Sequence, residues 1–505
     1  MKYLNMLLTV ILIIGLFTAS GCKKYLDVVN PNSQTLTEFW KTPADADAAM
    51  TSLYAAICMR EWGQQWDFNE HYRVMNEVRT DMAEDQSWDV VMRLSEFNYN
   101  PTEYMEVNNW HWCYRMVFTA NQILENVDNV EGLDDSQKAI YKGEAKFARA
   151  HAYFQLLKNF GNIELINKLP EKSADFYNNQ VPASEVWAQI ESDLTDAKAV
   201  LPDSWEAKWL GRVTKGAATT YLGKVYLFQG KWAAAEQEFK EVTTMGYQLE
   251  SDYWSLFTGQ NEFNKESIWE INFTSDETGG RCESTSIPSH IAAWQTVWLT
   301  DWGKQLFLTD TADNGTFSQR FYGSVLYDDP GCDVYYWHGQ SYRQFFTSQD
   351  LPNENRMFFK KFVVPYNNWS DPTKGDVNFY IFRYSDVLLM LAEALNEQGK
   401  TAEAIPYVNQ VRQRAGSHLI GALSQEELRQ HIRHVERPLE FVCEATRVED
   451  LVRWYGFGKE GGLKALYTSH NRFSADNFRD GISELFPIPQ EEIDANPNIK
   501  QNPGY

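Results

Sequence analysis

Apolar residues recur at spacings of three and four along most of the chain, and this pattern predicts a mainly helical fold. Thr42-Pro43 opens a first helix: threonine can cap it, proline pre-sets the first helical φ, and Asp45 and Asp47 put carboxylates near its positive end. Leu53, Tyr54 and Ile57 continue its apolar face. Trp110, Tyr114, Val117 and Asn121 share one face of another helix. Longer helices are predicted over 139–160, stopped by Gly161, and over 184–201, closed by Pro202.

An internal repeat marks the second half of the helical pattern. Leu222-Gly223, Tyr226, Gly230, Trp232, Ala235, Phe239 and Val242 have the tetratricopeptide spacing. Leu391-Ala392, Leu395, Gly399, Thr401, Ala404, Val408 and Val411 repeat the same offsets. Gly223 and Ala235 are small where two helices approach closely, and Gly230 permits the turn between them. Such a pair cannot bury its apolar face alone, so it must stack on neighbours. Residues 258–380 differ. They are rich in Gly, Asn, Asp, Ser, Thr and aromatics with no sustained period, and read as loops and short strands on the helical scaffold.

The first residues set the compartment. Lys2 is followed by an uncharged apolar run over 6–18, too short to span a bilayer, and then by Ala19-Ser20-Gly21-Cys22. This reads as a lipobox, although the position three before the cysteine is usually leucine. Residues 1–21 are then a lipoprotein signal peptide, Cys22 the lipidated residue, 22–41 a tether, and 42–505 a single domain. Five further cysteines are scattered, with no C-x-x-C pair. Five buried thiols are the simplest reading, and Cys282 with Cys332 is the pair to test for a disulfide.

Charge narrows the function. With 46 basic and 69 acidic side chains the net charge is −23, which argues against nucleic-acid binding. Aromatic content is high, with 18 Trp, 26 Tyr and 29 Phe, more than a helical core needs. Aromatic faces hold the apolar C–H side of sugar rings, while amides, carboxylates and guanidinium groups take the hydroxyls. Trp294, Trp298 and Trp302 recur every fourth residue and would form one stripe on a helix, either a ligand surface or a core seam. Tyr335-Tyr336-Trp337 lies in a loop-like stretch, where three adjacent rings cannot all face one core. Trp369 sits in a polar setting, and Trp88 follows Asp81 and Glu84-Asp85. The binding candidates are therefore Trp88, Trp294, Trp298, Tyr335, Tyr336, Trp337 and Trp369, whereas Trp110, Trp187, Trp232 and Trp454 occupy packing positions.

Catalytic and metal signals are weak. His431 and His434 lie near Glu436 without a further ligand and read as an Arg-rich surface helix. Gly456, Gly458 and Gly461 spell G-x-G-x-x-G, but after a helix rather than a strand. Asp310, Asp313 and Asn314-Gly315 resemble a loose calcium loop outside the EF-hand register. No catalytic residue, cofactor or metal is assigned.

The chain resembles the SusD/RagB family of outer-membrane lipoproteins. The likeness rests on Cys22-Lys23-Lys24-Tyr25-Leu26-Asp27 with Pro31, Gly143-Glu144-Ala145-Lys146-Phe147-Ala148-Arg149-Ala150, and Gly211-Arg212-Val213-Thr214-Lys215-Gly216-Ala217-Ala218. It continues through Phe382-Arg383-Tyr384-Ser385-Asp386 and Arg414-Ala415-Gly416 to Phe486-Pro487-Ile488-Pro489 and Gln501-Asn502-Pro503-Gly504-Tyr505. The sequence departs from the family at Ala445, where glycine is usual, and at Val448, where an aromatic is; both read as packing positions. The resemblance implies a SusD-like fold and a non-catalytic surface lipoprotein that captures oligosaccharide and delivers it to a SusC-like TonB-dependent transporter. It also places the stretch around Trp88 near the ligand face. A peptide-binding relative and a structural lid with little affinity of its own fit the same residues.

Overall fold

The computed structural model describes Tyr3 and residues 39–58, 74–85, 89–274, 282–283, 297–327, 329–332, 336–337, 340–341, 357–362 and 377–505. Helix α1 (Pro43–Ile57) starts as its sequence requires: the Thr42 N–H donates to Asp45 Oδ2 at 2.8 Å, and the Asp45 N–H returns to Thr42 Oγ1 at 3.4 Å. Helix α2 (Tyr104–Asn126) buries Trp110, Val117 and Asn121. Helix α3 (Asp135–Phe160) begins four residues before the predicted 139, because Asp134 and Gln137 form a second capping box, and it ends at Gly161 with φ 73°. Helix α4 (Ala183–Val200) stops just before Leu201-Pro202.

The repeat forms two helical pairs. The first is α5 (Lys215–Phe228) with α6 (Trp232–Val242). After α7 (Asp301–Thr309) comes the second, α8 (Tyr384–Glu397) with α9 (Thr401–Ala415). Gly230 and Gly399 turn the chain within each pair at φ 69° and 75°. Helices pack in series, α1 on α2, then α3, α4, α5 and α6; α6 then packs on α8, and α8 on α9. The second pair thus stacks directly on the first, although the aromatic-rich stretch separates them in sequence. A Cβ on Gly223 would stand 2.6 Å from Phe239 Cε1, which is why this position is bare. Trp110 and Trp454 are buried, and Trp187 and Trp232 pack against the core, as their motif positions imply.

Short two-stranded ladders complete the fold. Strand β1 (Ala83–Asp85) pairs antiparallel with β3 (Val297–Leu299), and β2 (Ser267–Ile271) with β4 (Phe379–Arg383). The 258–380 region is more regular than its composition suggests, because it also contains α7 and a short helix at Gln319–Ser324. No helix among the described residues is long and apolar enough to cross a membrane.

Two polar networks hold the helices to this region. Arg383, at the end of β4, donates to Glu266 at 2.8 Å, Glu440 at 2.5 Å and Glu444 at 2.8 Å; Arg414 reaches Glu266 at 2.7 Å, and Lys361 reaches Glu444 at 2.6 Å. Arg320 binds Asp310 through two bonds of 3.0 Å and Glu436 at 2.6 Å, while Arg412 meets Glu436 at 2.8 Å. All these groups are buried. Removing one partner leaves an uncompensated charge, which typically costs about 3–5 kcal/mol. The His431–Glu436 stretch is therefore no surface helix: a π-helical turn (Ile432–Glu436) buries Arg433 and Glu436. Asp310 is engaged by Arg320 and Ser318, so it supplies no calcium loop.

The C-terminal segment clasps residues 74–95. Arg447 grips the Asp81 carboxylate at 2.8 and 2.6 Å, and Arg79 donates to Glu484 O at 3.0 Å. Arg472 donates to the carbonyls of Val78, Ala83 and Ser95 at 2.6–2.7 Å. The Cys443 and Ala445 N–H groups both donate to the Glu77 carboxylate, at 2.9 and 3.4 Å. Ala445 is more than a packing position: its φ of 60° lies in the left-handed region, which explains why the resembling pattern has glycine there. Cys58 is disulfide-bonded, so the reading of five thiols does not hold. Cys332 is a buried thiol whose Sγ lies 3.7 Å from Val325 O, and it forms no bridge to Cys282.

Candidate functional site

Of the binding candidates, Trp298 lies in the β1–β3 ladder, and Trp302 follows directly after it. Register places Glu84 opposite Trp298, and the Trp298 Nε1–H donates to Glu84 Oε1 at 3.1 Å. Residues 297–299 form a strand, so Trp298 and Trp302 do not share a helical stripe. Trp298 is only 5% exposed and acts here as a strand-pairing core residue rather than an open face for a ligand. The β-branched Val297 beside it is the available sequence signal for a strand.

Directly after β3, Thr300 fixes the entry to α7. Its N–H donates to Met82 O at 3.0 Å, its Oγ1 donates to Asp81 O at 2.5 Å, and the same oxygen caps the Gly303 N–H at 3.1 Å. Gly303 must be small, since a Cβ would lie 3.2 Å from Met82 O. These bonds set Trp302, half-buried, on the first turn of α7. Its indole stacks on the His470 imidazole with centroids 3.9 Å apart and planes 6° from parallel. His470 Nδ1 is 3.0 Å from Asp81 Oδ2, and Arg447 lies 5.7 Å from the Trp302 ring centre.

Charge at this platform is internally balanced. Burial opposes ionisation of Asp81, but Arg447 and His470 outweigh it and hold the carboxyl well below its ordinary range. Nearby His434, with Nε2 2.8 Å from Tyr455 Oη, is pushed down to about 4 by burial and then by Arg447, so it is neutral at pH 7. The result is a flat aromatic surface backed by a rigid, hydrogen-bonded imidazole, suited to stacking a weakly apolar ring.

Trp302 belongs to the Trp stripe but not to the binding candidates, and His470 carries no sequence signal at all, being brought in from 168 residues away. Trp88, Trp294, Tyr335 and Trp369 lie outside the described residues. For Tyr336 and Trp337 the backbone forms a two-residue strand facing Ser341 and Gln340.

Family models match in two blocks: residues 246–505 fit the model described as SusD family, and residues 24–227 the one described as starch-binding associating with outer membrane. The chain belongs to the SusD family. A SusD-like protein P2 from Formosa agariphila is 26% identical, with 98% of each chain covered. The starch-binding protein SusD of Bacteroides thetaiotaomicron is 23% identical over 82% of this chain and 81% of its own. Among solved structures, a SusD superfamily protein from Bacteroides vulgatus superposes with a TM-score of 0.80 at 26% identity, covering 92% of this chain and all of that one. A laminarin-binding SusD-like protein is also 26% identical, with a TM-score of 0.73 and the same coverage. This SusD-family chain therefore shares its mainly helical fold with relatives over almost its whole length.

Proposed function

We propose that this protein is a cell-surface lipoprotein, anchored through Cys22, that captures oligosaccharide without cleaving it and passes it to a SusC-like TonB-dependent transporter. The observation that carries the reading is the Trp302 platform, a partly buried indole stacked on His470, in a chain of the SusD family. The laminarin-binding relative and the starch-binding SusD support a saccharide ligand, and the family description of outer-membrane association supports the location. Trp88, Trp294, Tyr335, Tyr336, Trp337 and Trp369 remain the further aromatic candidates for holding the ligand. Affinity per site would be modest, because sugar hydroxyls exchange hydrogen bonds with water for hydrogen bonds with protein. The gain lies in raising ligand concentration at the transporter mouth.

The test is calorimetry of the chain from residue 23 onward against a panel of oligosaccharides and a tryptic peptide mixture. The reading expects a saccharide to bind and Trp302→Ala to weaken it at least tenfold, with no new reducing ends after prolonged incubation. Binding of peptides alone, or saccharide binding unchanged by Trp302→Ala, would reject it.

A further inference from the structure

A second cavity, of about 550 Å³, opens at the mouth of the first helical pair. Its lining shares no residue with the Trp302 platform. The walls come from three places: residues 203–216 between α4 and the first turn of α5, residues 244–247 after α6, and residues 263–270 leading into β2. The volume falls within the range of small-ligand sites, roughly 300–1,000 Å³.

The walls are rigid. Arg212 is clamped to Glu144, with its Nε donating at 2.6 Å, and its guanidinium lies 4.5 Å from the Trp205 ring centre and 5.0 Å from that of Trp209. The Trp205 Nε1–H donates to Val213 O at 2.9 Å, which fixes a half-buried indole at the cavity wall. Tyr247 lies against Gly216, where a Cβ would stand 2.1 Å from the phenol oxygen. Gly211 and Gly246 take φ of 94° and 89°, conformations open to glycine.

The lining chemistry selects a neutral, hydroxyl-rich ligand. Arg212 is neutralised by Glu144, and both functional atoms of Asn264 are committed: Nδ2 to Asn261 O and Tyr380 Oη, Oδ1 to the N–H groups of Glu266 and Ser267. Among the remaining charged groups, Asp203 and Lys265 are exposed and opposite in sign. Glu270 is 3% exposed; its Oε1 accepts the Phe263 N–H at 2.5 Å, while Oε2 has no hydrogen-bond partner. Burial pushes its carboxyl up to about 8, so at pH 7 it is neutral and able to donate a hydrogen bond. The opposite charges of Asp203 and Lys265 give no net attraction to an ion of either sign. A sugar ring can use both, together with the Ser204 hydroxyl and the Trp205 face.

We propose that this cavity is a second saccharide-binding site, which takes a short neutral segment of a glycan. The ligand class rests on the proposed glycan function; the cavity itself does not.

The experiment titrates neutral trisaccharides (laminaritriose, maltotriose, cellotriose and mannotriose) into four proteins: wild type, Trp302→Ala, Thr244→Trp and Ser204→Trp. The last two fill the cavity from exposed positions, so folding is spared, and melting curves check this. The proposal expects a trisaccharide that still binds Trp302→Ala and binds both filled variants at least tenfold more weakly. Trisaccharide binding that is lost in Trp302→Ala and unchanged in both filled variants would overturn the second site while leaving the platform reading intact. Absence of trisaccharide and longer-glycan binding to the wild type would overturn both.

Discussion

Gly223→Ala adds one methyl group where the helices of the first repeat pair touch. The position is mid-helix, so alanine by itself favours the helix by about 1 kcal/mol. The new Cβ, however, would meet three ring atoms of Phe239 at 2.6, 2.9 and 3.0 Å. Carbon atoms rest at about 3.5–4.0 Å, so ring and helix must part by nearly 1 Å. Phe239 is wholly buried and has no solvent side to move into. Overpacking of this kind costs about 1–3 kcal/mol, which leaves a net loss of about 1 kcal/mol or a little more. For a chain this long the unfolding entropy is near 1 kcal/mol/K, so the melting point should fall by about 1–2 °C. Urea titration, read as the midpoint at unchanged slope, measures the same loss more sharply. The second repeat carries Ala392 and Val408 at these offsets, which supplies a control. Gly223→Ala combined with Phe239→Val should be more stable than the sum of the two single losses, with a coupling of about 1 kcal/mol. A stabilised Gly223→Ala, or strict additivity in the double variant, would refute the close-approach argument.

Three further outcomes are expected. Trp298→Ala should cost about 3–5 kcal/mol of stability, since it empties a buried ring site, whereas Trp302→Ala should leave the melting curve nearly unchanged and weaken saccharide binding. Glu106 is buried in α2, and burial raises its carboxyl from 4.5 to about 8. The folded state therefore holds a proton that the unfolded chain releases, so stability falls as pH rises from 4.5 to about 8; Glu106→Gln should flatten that decline by up to about 1.4 kcal/mol per pH unit. Cys22→Ala should move the protein from the membrane fraction to the soluble periplasmic or secreted fraction on immunoblots, and unchanged membrane retention would reject the lipid anchor.

The helical scaffold was legible because its signals are local. The capping box at Thr42, the stop at Gly161 and the small-residue and turn positions of both repeats act within one or two helical turns. The platform was not, because it depends on distant pairing. A spacing of four suggested a helix through Trp298, but hydrogen bonding to Glu84, 214 residues earlier, makes it a strand. His470 stacks on Trp302 and is itself held by Asp81, which Arg447 grips in turn. Charged residues misled for the same reason. Glu436 beside two histidines reads as solvated surface, whereas Arg320, 116 residues away, and Arg412 join it and draw the charges inside.

The clasp on residues 74–95 sets the order in which the molecule can be finished. Arg79 donates to the carbonyl of residue 484, a separation of 405 positions, and Asp81 is paired with Arg447, 366 positions on. During synthesis the early segment emerges with its charges bare and waits for nearly the whole remaining polypeptide. Loops of this length close late. Since Asp81 and Met82 also fix Thr300 and hence Trp302, the Trp302 platform is among the last parts to take shape. A chain cut short before residue 447 would carry its repeat helices yet lack a working platform. Ordering of the Trp302 platform thus reports that the C-terminal clasp has closed on residues 74–95.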